Sequence, residues 1–517
     1  MKKILQSLML ITFCSLWMSA DAQRYLTEIF PSSTVTSNVV YGSNLEVLTG
    51  TPISKDLKVD IYEPAGAVDP LAQRPLVIMW HTGSFLPPFI NQTPTGSKTD
   101  SVMAEVCRQF ARRGYVAAAA TYRWGWNPQA LGPQGQDIRT GTLLLAAYRG
   151  IQDAHACVRY FKANAAASND YGIDANKIIM GGIGTGGYIS LAYSTLDDSL
   201  EVTLPKFVSS VTDPTYGFVA GMPYVNMAAV GNIEGYGGIP QYNNPNNNPG
   251  VNSDVNFCFN MGGALGDSSW LGAGDAPMVA FHCLGDPFAP YADGPVIVPT
   301  TGDFVVDVSG SFTAIKNATL LGNNASFNTA GFTDPYTLRA NMLNQGYDGL
   351  FPFETFPPVQ SAPWEWFDST YTVLGAQSVG LSAAQGAGIY SNALLTNPNM
   401  SKAKALAYVD TVMNYLNPRI VTSLGLSTGI NELDSKIPVQ LYPNPVSQGQ
   451  SIFINSEIQG NLISAIEVMN IQGQRISYTD QLNQQKLELK QNHLANGMYL
   501  IKVYTLRGNT IHRISVH

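Results

Sequence analysis

The sequence predicts an α/β fold with a parallel sheet, followed by a small all-β domain. Three observations carry this. Between residues 57 and 282, continuous apolar runs alternate with segments of helical spacing. One of these runs, Ile178 to Met180, opens onto a turn crowded with Gly181, Gly182, Gly184, Gly186 and Gly187, and then onto a mostly apolar stretch from Tyr188 to Tyr193. From Ile437 the composition changes to short alternating runs separated by turn residues.

Taken in order, Leu57–Tyr62 alternates as a half-buried strand before Pro64 and Gly66, and Pro75–Trp80 is a continuous apolar run, read as a central strand. His81-Thr82-Gly83-Ser84-Phe85 and a polar loop, Asn91 to Lys98, follow it. Val102 to Arg113 has helical spacing and stops at Gly114, and Tyr115–Ala120 is a second buried strand. Residues 141–166 read as a long helix and Tyr171–Asp174 as a turn, before the strand that begins at Ile178. Residues 200–254, with an Asn-, Pro- and Gly-rich segment from Asn243 to Asn252, read as an irregular insertion that caps the sheet's C-terminal edge. Val255–Phe259 and Pro277–Phe281 restore the strands. Residues 292–360, rich in Thr, Asn and Gly, read as a second irregular insertion. Ser401–Leu416 is an amphipathic helix with Ala405, Val409, Val412 and Leu416 on one face, ended by Asn417-Pro418. In the C-terminal domain the strands are Ser451–Asn455, Ala465–Met469, Lys486–Lys490 and Met498–Tyr504, with turns at Gln472-Gly473 and Asn496-Gly497.

The chain has 517 residues and a net charge of −8, which argues against a nucleic-acid partner. Residues 1–22 read as a secretory signal: Lys2 and Lys3, an apolar part from Leu8 to Trp17, and Ala20-Asp21-Ala22 before Gln23. Cleavage there removes Cys14 and leaves Cys107, Cys157, Cys258 and Cys283, open to three disulfide pairings or to four buried thiols. No CxxC is present, which argues against a zinc site; no metal or cofactor is expected. The domains expected are therefore a signal peptide (1–22), an α/β body (23–425), a linker (426–437) and a β domain (438–517).

The glycine turn has three readings. Gly182-Ile183-Gly184-Thr185-Gly186 fits the G-x-S-x-G frame of a nucleophile elbow, with Gly184 in the serine's place. Gly182, Gly184 and Gly187 also fit a G-x-G-x-x-G phosphate cradle, with Asp197, Asp198 and Glu201 downstream. The third reading is a packing turn without chemistry.

The neighbouring residues resemble the α/β-hydrolases of the carboxylesterase and lipase type, over roughly residues 35–420. His81–Phe85 resembles the HGGGF oxyanion motif. Gly114-Tyr115-Val116, Tyr122-Arg123, Gln152-Asp153, Arg159-Tyr160 and Tyr171–Asp174 fall in the family's order before the elbow. Phe281-His282, Gly285-Asp286 and Pro290 resemble the segment that carries the triad acid. The resemblance implies an α/β-hydrolase sheet flanked by helices. It places Asp286 at the acid position and backbone oxyanion donors at Gly83 or Ser84 and at Thr185. It also sets Cys258 and Cys283 on adjacent strands, a candidate disulfide ahead of Cys107–Cys157.

The departures from the family are sharp. Glycine stands at the nucleophile position, Gly184. The triad histidine belongs near Pro357–Trp364, where Gln360 and Ser361 stand instead, and the six histidines (81, 155, 282, 493, 512 and 517) leave none between 282 and 493. Without a nucleophile or a base the triad cannot operate. Thr185 sits one step from the nucleophile position, and His81, His155 and His282 read as structural. Three functions follow: a pseudo-enzyme that keeps the cleft for a small-molecule ester or polymer ligand, a hydrolase with a non-standard site, or a structural surface protein.

The C-terminal domain resembles the type A sorting domain of the Bacteroidetes type IX secretion system, through Gly429–Glu432, Leu441-Tyr442-Pro443-Asn444-Pro445, Val468–Gly473, Asn496–Val503 and the terminal Ile511–Ile514. That resemblance implies export by way of the periplasm to the surface or medium, with the secretion machinery as partner.

Overall fold

The computed structural model describes residues 24–426, apart from 49, 67, 68, 70, 245 and 246, and residues 439–517, apart from 471–474, 491–493 and 506–507. The expected signal peptide with Cys14, Gly429–Glu432, the Gln472-Gly473 turn, His493 and all of the expected linker beyond Leu426 lie outside the described residues. The chain forms two compact units, one of them Tyr25–Leu426 and the other containing the C-terminal residues to His517.

The strands of the larger unit are β1 (Ser32–Glu46), β2 (Ile53–Ala65), β3 (Arg74–Trp80), β4 (Val116–Ala120), β5 (Ile173–Ile183), β6 (Phe257–Met261), β7 (Ala264–Leu265), β8 (Met278–Cys283), β9 (Asp293–Ile297), β10 (Phe304–Gly310) and β11 (Leu350–Phe353). Its helices are α1 (Ser101–Arg112), α2 (Gly135–Ala167), α3 (Thr185–Tyr193), α4 (Met227–Val230), α5 (Ser311–Leu320), α6 (Ala325–Ala330), α7 (Pro335–Asn341), α8 (Ser369–Ser378), α9 (Ala383–Thr396) and α10 (Lys402–Leu424).

Eight strands pair in the order β1-β2-β4-β3-β5-β6-β8-β11. β1 and β2, and β2 and β4, run antiparallel, and the remaining pairs are parallel. Strands covered on both faces are largely apolar, which is why β3, β4, β6 and β8 read as near-continuous runs, with buried Asn260 and His282 as hydrogen-bonded exceptions. Successive side chains take opposite faces. Leu76, Ile78 and Trp80 pack with Ile151, Val158 and Phe161 of α2, whereas Val77 and Met79 pack with Val106 and Phe110 of α1 and with Val409, Val412 and Leu416 of α10. This is a mostly parallel sheet with helices on both sides, the α/β class expected of the body.

Several expectations need correction. Residues 292–360 are ordered: β9 and β10 join β7 in a three-stranded sheet, and α5, α6, α7 and β11 follow. Their buried stripes are narrow. Only Ser311, Ala314, Ile315 and Ala318 of α5 are inside, so Thr and Asn on the outer face mask the helical period. Helices α8 and α9 and the long edge strand β1 also escaped the periodicity reading. Nor does Pro418 end α10, which runs on to Leu424. A proline inside a helix removes one amide donor. The carbonyl that loses its donor is that of Asn414, and the flanking side chains bond the carbonyls on either side of it: Asn417 Nδ2 donates to Met413 O at 2.7 Å and Arg419 to Tyr415 O at 2.7 Å. Among its described residues the insertion at 200–254 holds short helical turns and two isolated β-bridges, Val208 with Pro223 and Asp213 with Phe218, and is tied to β1 by Asn44, whose amide donates to Asn243 Oδ1 at 3.0 Å.

Cys107, Cys157, Cys258 and Cys283 are all free and buried. Cys258 pairs across the sheet with Met278, so Cys283 lies five residues further along β8, ~16 Å away at strand spacing. The Cys258–Cys283 disulfide is excluded by register.

The described part of the second unit comprises β12 (Val439–Tyr442), β13 (Ser451–Ser456), β14 (Ile463–Asn470), β15 (Arg475–Thr479), β16 (Lys486–Lys490), β17 (Gly497–Thr505) and β18 (Gly508–Val516). Two antiparallel sheets, β12-β13-β16 and β15-β14-β17-β18, share one core of inward residues that includes Ile452, Ile454, Ile466, Val468, Ile501 and Val503.

Candidate functional site

The site is built where β5 turns into α3. The turn is so tight that side chains are excluded: a Cβ on Gly182 would lie 2.0 Å from Gly186 O, and one on Gly186 would lie 2.0 Å from Trp80 O. Gly184 caps α3 with φ 53° and ψ −115°, a conformation costly for any residue with a side chain. Its amide donates to Met261 O at 2.8 Å, and its carbonyl accepts from Gly187 N at 2.8 Å. A Cβ on Gly184 would meet Thr82 Oγ1 at 2.4 Å and Thr82 Cβ at 3.1 Å. The Thr82 side chain thus fills the space above the turn.

Thr82 is held from behind. Tyr122 donates to both His81 O and Thr82 O at 3.1 Å, and its ring stacks on His81 with centroids 4.4 Å apart. Gly83, Ser84 and Phe85 are consecutive residues with positive φ, at 127°, 56° and 51°. Two non-glycine residues in that region mark strain imposed by the surroundings. The Ser84 amide, expected as a possible oxyanion donor, donates instead to Thr185 Oγ1 at 2.8 Å. The Thr185 amide, first of its helix, has no intrahelical acceptor. Gly83 and Thr185 therefore remain as the two amides available at the turn.

Asp286 follows β8. Its Oδ1 accepts from Phe288 N at 2.8 Å and Ala289 N at 3.2 Å, and its side chain is 4% exposed. Its Oδ2 is 3.9 Å from His282 Nε2, but that nitrogen is 3.0 Å from Ala289 O, and the carbonyl can only accept. The proton on Nε2 is thereby committed. Nδ1 meets Ser311 Oγ at 2.8 Å, and burial drives the ring's pKa down to about 4. His81 is likewise buried and lowered to about 4. His155, paired with Ser253 Oγ at 2.9 Å, is lowered to about 3. All three are neutral structural rings. Gln360 turns away, donating to Pro357 O at 2.8 Å and accepting from Lys404 at 3.0 Å, whereas Ser361 faces the cavity.

Gly184, Thr185, Asp286 and Ser361 line one cavity of about 840 Å³, at the C-terminal edge of the sheet. Its apolar wall includes Ile151, Phe207, Val225, Trp270 and Val298, drawn from α2, the 200–254 insertion, the turn between β7 and β8 and the β9–β10 region. Glu365, which sequence reasoning missed, lies on the same wall and accepts a long hydrogen bond from Thr95 Oγ1 at 3.4 Å. Only its neighbour Trp364, in the segment matched to the family's histidine loop, could have drawn attention to it. Neither histidine, lysine nor arginine appears among the residues lining the cavity.

The acids here are unusual. Burial pushes Asp286 up to about 7, and burial with the neighbouring Asp100 pushes Glu365 up to about 8. Asp100, bonded to the amides of Gly96 and Ser97, rises to about 7, again through burial. Each binds its proton more tightly in the fold than in the unfolded chain, so stability falls as pH rises from about 4 towards 8. The buried histidines act oppositely: the unfolded chain takes up their protons first, and stability rises with pH up to their ordinary value of 6.5. The two sets oppose each other below pH 6.5, and the acids dominate above it. The melting temperature is expected to fall between pH 6.5 and 8.5, and Glu365→Gln to flatten that slope. A melting temperature constant over this window would contradict the assignment.

Residues 440–517 match the family model described as "Secretion system C-terminal sorting domain". The chain is thus exported by the type IX system to the cell surface or the extracellular space, and its C-terminal unit is the part that engages the secretion machinery. Among solved structures, it is similar to Thermogutta terrifontis esterase 2 phosphorylated by paraoxon, at 20% identity over 51% of this chain and 74% of that one, with a TM-score of 0.30. The apo form of that esterase gives 18% identity over 51% and 75% of the two chains, with a TM-score of 0.30. Its propionate-bound form gives 18% over 50% and 75%, with a TM-score of 0.29. No curated protein sequence matches the chain. Deleting residues 438–517 is expected to abolish the protein's appearance in medium and on the cell surface, assayed by immunoblot of fractions. Undiminished export would remove the sorting role.

Proposed function

We propose that the body of this exported protein is a pseudo-enzyme of the α/β-hydrolase fold, which holds an apolar small molecule in its cavity without cleaving it. The observation that carries this reading is Gly184: it keeps the backbone of a nucleophile elbow, while Thr82 Oγ1 stands where a nucleophile's side chain would begin. The missing base supports the same reading, since none of the residues lining the cavity is a histidine. A cleft retained at about 840 Å³ argues against a fold kept only as scaffold and lies within the usual range for ligand pockets.

The test uses the full chain. A fluorophosphonate probe is expected to leave it unlabelled, and short-chain nitrophenyl esters to show neither burst nor turnover, while a neutral apolar dye binds and brightens. Substituting Ile151→Trp, which projects bulk into the cavity wall, is expected to weaken dye binding. Rapid ester hydrolysis with covalent labelling at Ser361 or Thr185 would overturn the proposal.

A further inference from the structure

We infer that the cavity's ligand bears a protonated amine at one end of an apolar body. This rests on the binding role proposed above and adds the ligand's chemistry. The ionisable carboxyls on the wall are Asp286 and Glu365, and no cationic side chain lines it to balance them. Asp286 is nine-tenths buried, and with Oδ1 committed to two backbone amides its Oδ2 makes no hydrogen bond and opens onto the cavity. The Glu365 carboxyl has the long bond from Thr95, with Asp100 close behind it. Buried carboxyls without a counter-charge are held protonated at the expense of their ordinary acidity. An ammonium group would supply that counter-charge.

Trp364 completes the recognition. It is 1% exposed and lies on the cavity wall beside Asp286: a point at the Cβ position of Gly262 is 3.4 Å from Trp364 Cζ2 and 3.7 Å from Asp286 Oδ2. The benzene part of the indole lies next to this carboxylate, and a cation drawn to the carboxylate that also reaches the ring's face gains from the ring quadrupole. The rest of the wall, including Leu143, Phe207, Val225 and Val298, is apolar and takes the ligand's body. A carboxylate-headed molecule, such as the acid released from an ester, would face two acids and no base. The same wall that favours an amine disfavours that product.

The experiment loads the full-length protein with a neutral solvatochromic dye at pH 7.5 and displaces it with octylamine, octanol or octanoate. Octylamine is expected to compete at a concentration about tenfold lower than octanol, with octanoate weaker than octanol. Asp286→Asn and Glu365→Gln are each expected to narrow the octylamine–octanol gap by roughly threefold, with circular dichroism reporting the fold. Octanoate competing as well as octylamine, or a gap that survives both substitutions, overturns the amine assignment and leaves the cavity's binding role intact. A protein that binds neither the dye nor any of the three compounds defeats both.

Discussion

Gly184→Ser is expected to destabilise the protein by roughly 2–4 kcal/mol and to confer no esterase activity. Two costs add. The backbone at 184 has φ 53° and ψ −115°, where a side chain is strained, and the new Cβ arrives 2.4 Å from Thr82 Oγ1. Rotating Thr82 gives limited relief, because its own Cβ stays 3.1 Å away. Adding Thr82→Gly removes the collision and leaves the strain, so the double variant should recover part of the lost stability. Activity still requires a base. Ser361 lines the cavity whereas Gln360 is turned towards Pro357 and Lys404. Thr82→Gly/Gly184→Ser/Ser361→His is therefore expected to show slow nitrophenyl ester hydrolysis, and the corresponding Gln360→His variant none. Thermal unfolding and single-turnover kinetics give both readouts. A Gly184→Ser protein as stable as the parent and fully active would mean that the base lies elsewhere, with His282 the first suspect.

The sequence made the centre of the sheet legible because strands covered on both faces have little choice of residue type. Val116–Ala120 is apolar throughout, and in Met278–Cys283 the one polar residue, His282, has both ring nitrogens hydrogen-bonded. The glycine turn was legible for a related reason, since Gly182 and Gly186 are required by backbone contacts near 2 Å. What escaped notice depends on tertiary contact. Helices α8 and α9 bury very little of their length: Thr372 and Ala376 in one, Gly386 and Ile389 in the other. No stripe of that width rises above composition. Glu365 is an ordinary surface acid in sequence, and becomes notable only because the fold places it beside Thr95 and near Asp100. Thr82 is the sharpest instance. Its place in an HGGGF-like stretch was clear, but that its hydroxyl stands 2.4 Å from where a Cβ on Gly184 would lie follows only from packing between β3 and β5.

Asp153→Ala is expected to cost about 3–5 kcal/mol, more than other single substitutions outside the elbow, because it strands a buried cation. Arg123 and Asp153 have side chains 0% and 1% exposed, and the Arg123 Nε contacts both carboxylate oxygens, at 2.8 and 3.1 Å. The same carboxylate accepts the Arg123 amide at 2.8 Å. With Asp153 gone, the guanidinium keeps Leu45 O, Arg149 O and Gln152 Oε1 as acceptors but loses the carboxylate it is paired with. Arg149 adds to the problem, since burial and the nearby Arg123 already lower its pKa to about 9. The pair also supports the cavity. Arg123 follows Tyr122, whose hydroxyl holds the carbonyls of His81 and Thr82. Loosening it frees the loop that fills the nucleophile's space, so dye affinity should fall together with stability. Replacing both partners by apolar residues, as in Arg123→Met/Asp153→Leu, removes the stranded charge and should cost clearly less than Asp153→Ala alone. Urea unfolding of the two variants decides the matter: a double variant less stable than the single one would show that the pair acts through its hydrogen-bond network and not through the burial of an unmatched charge.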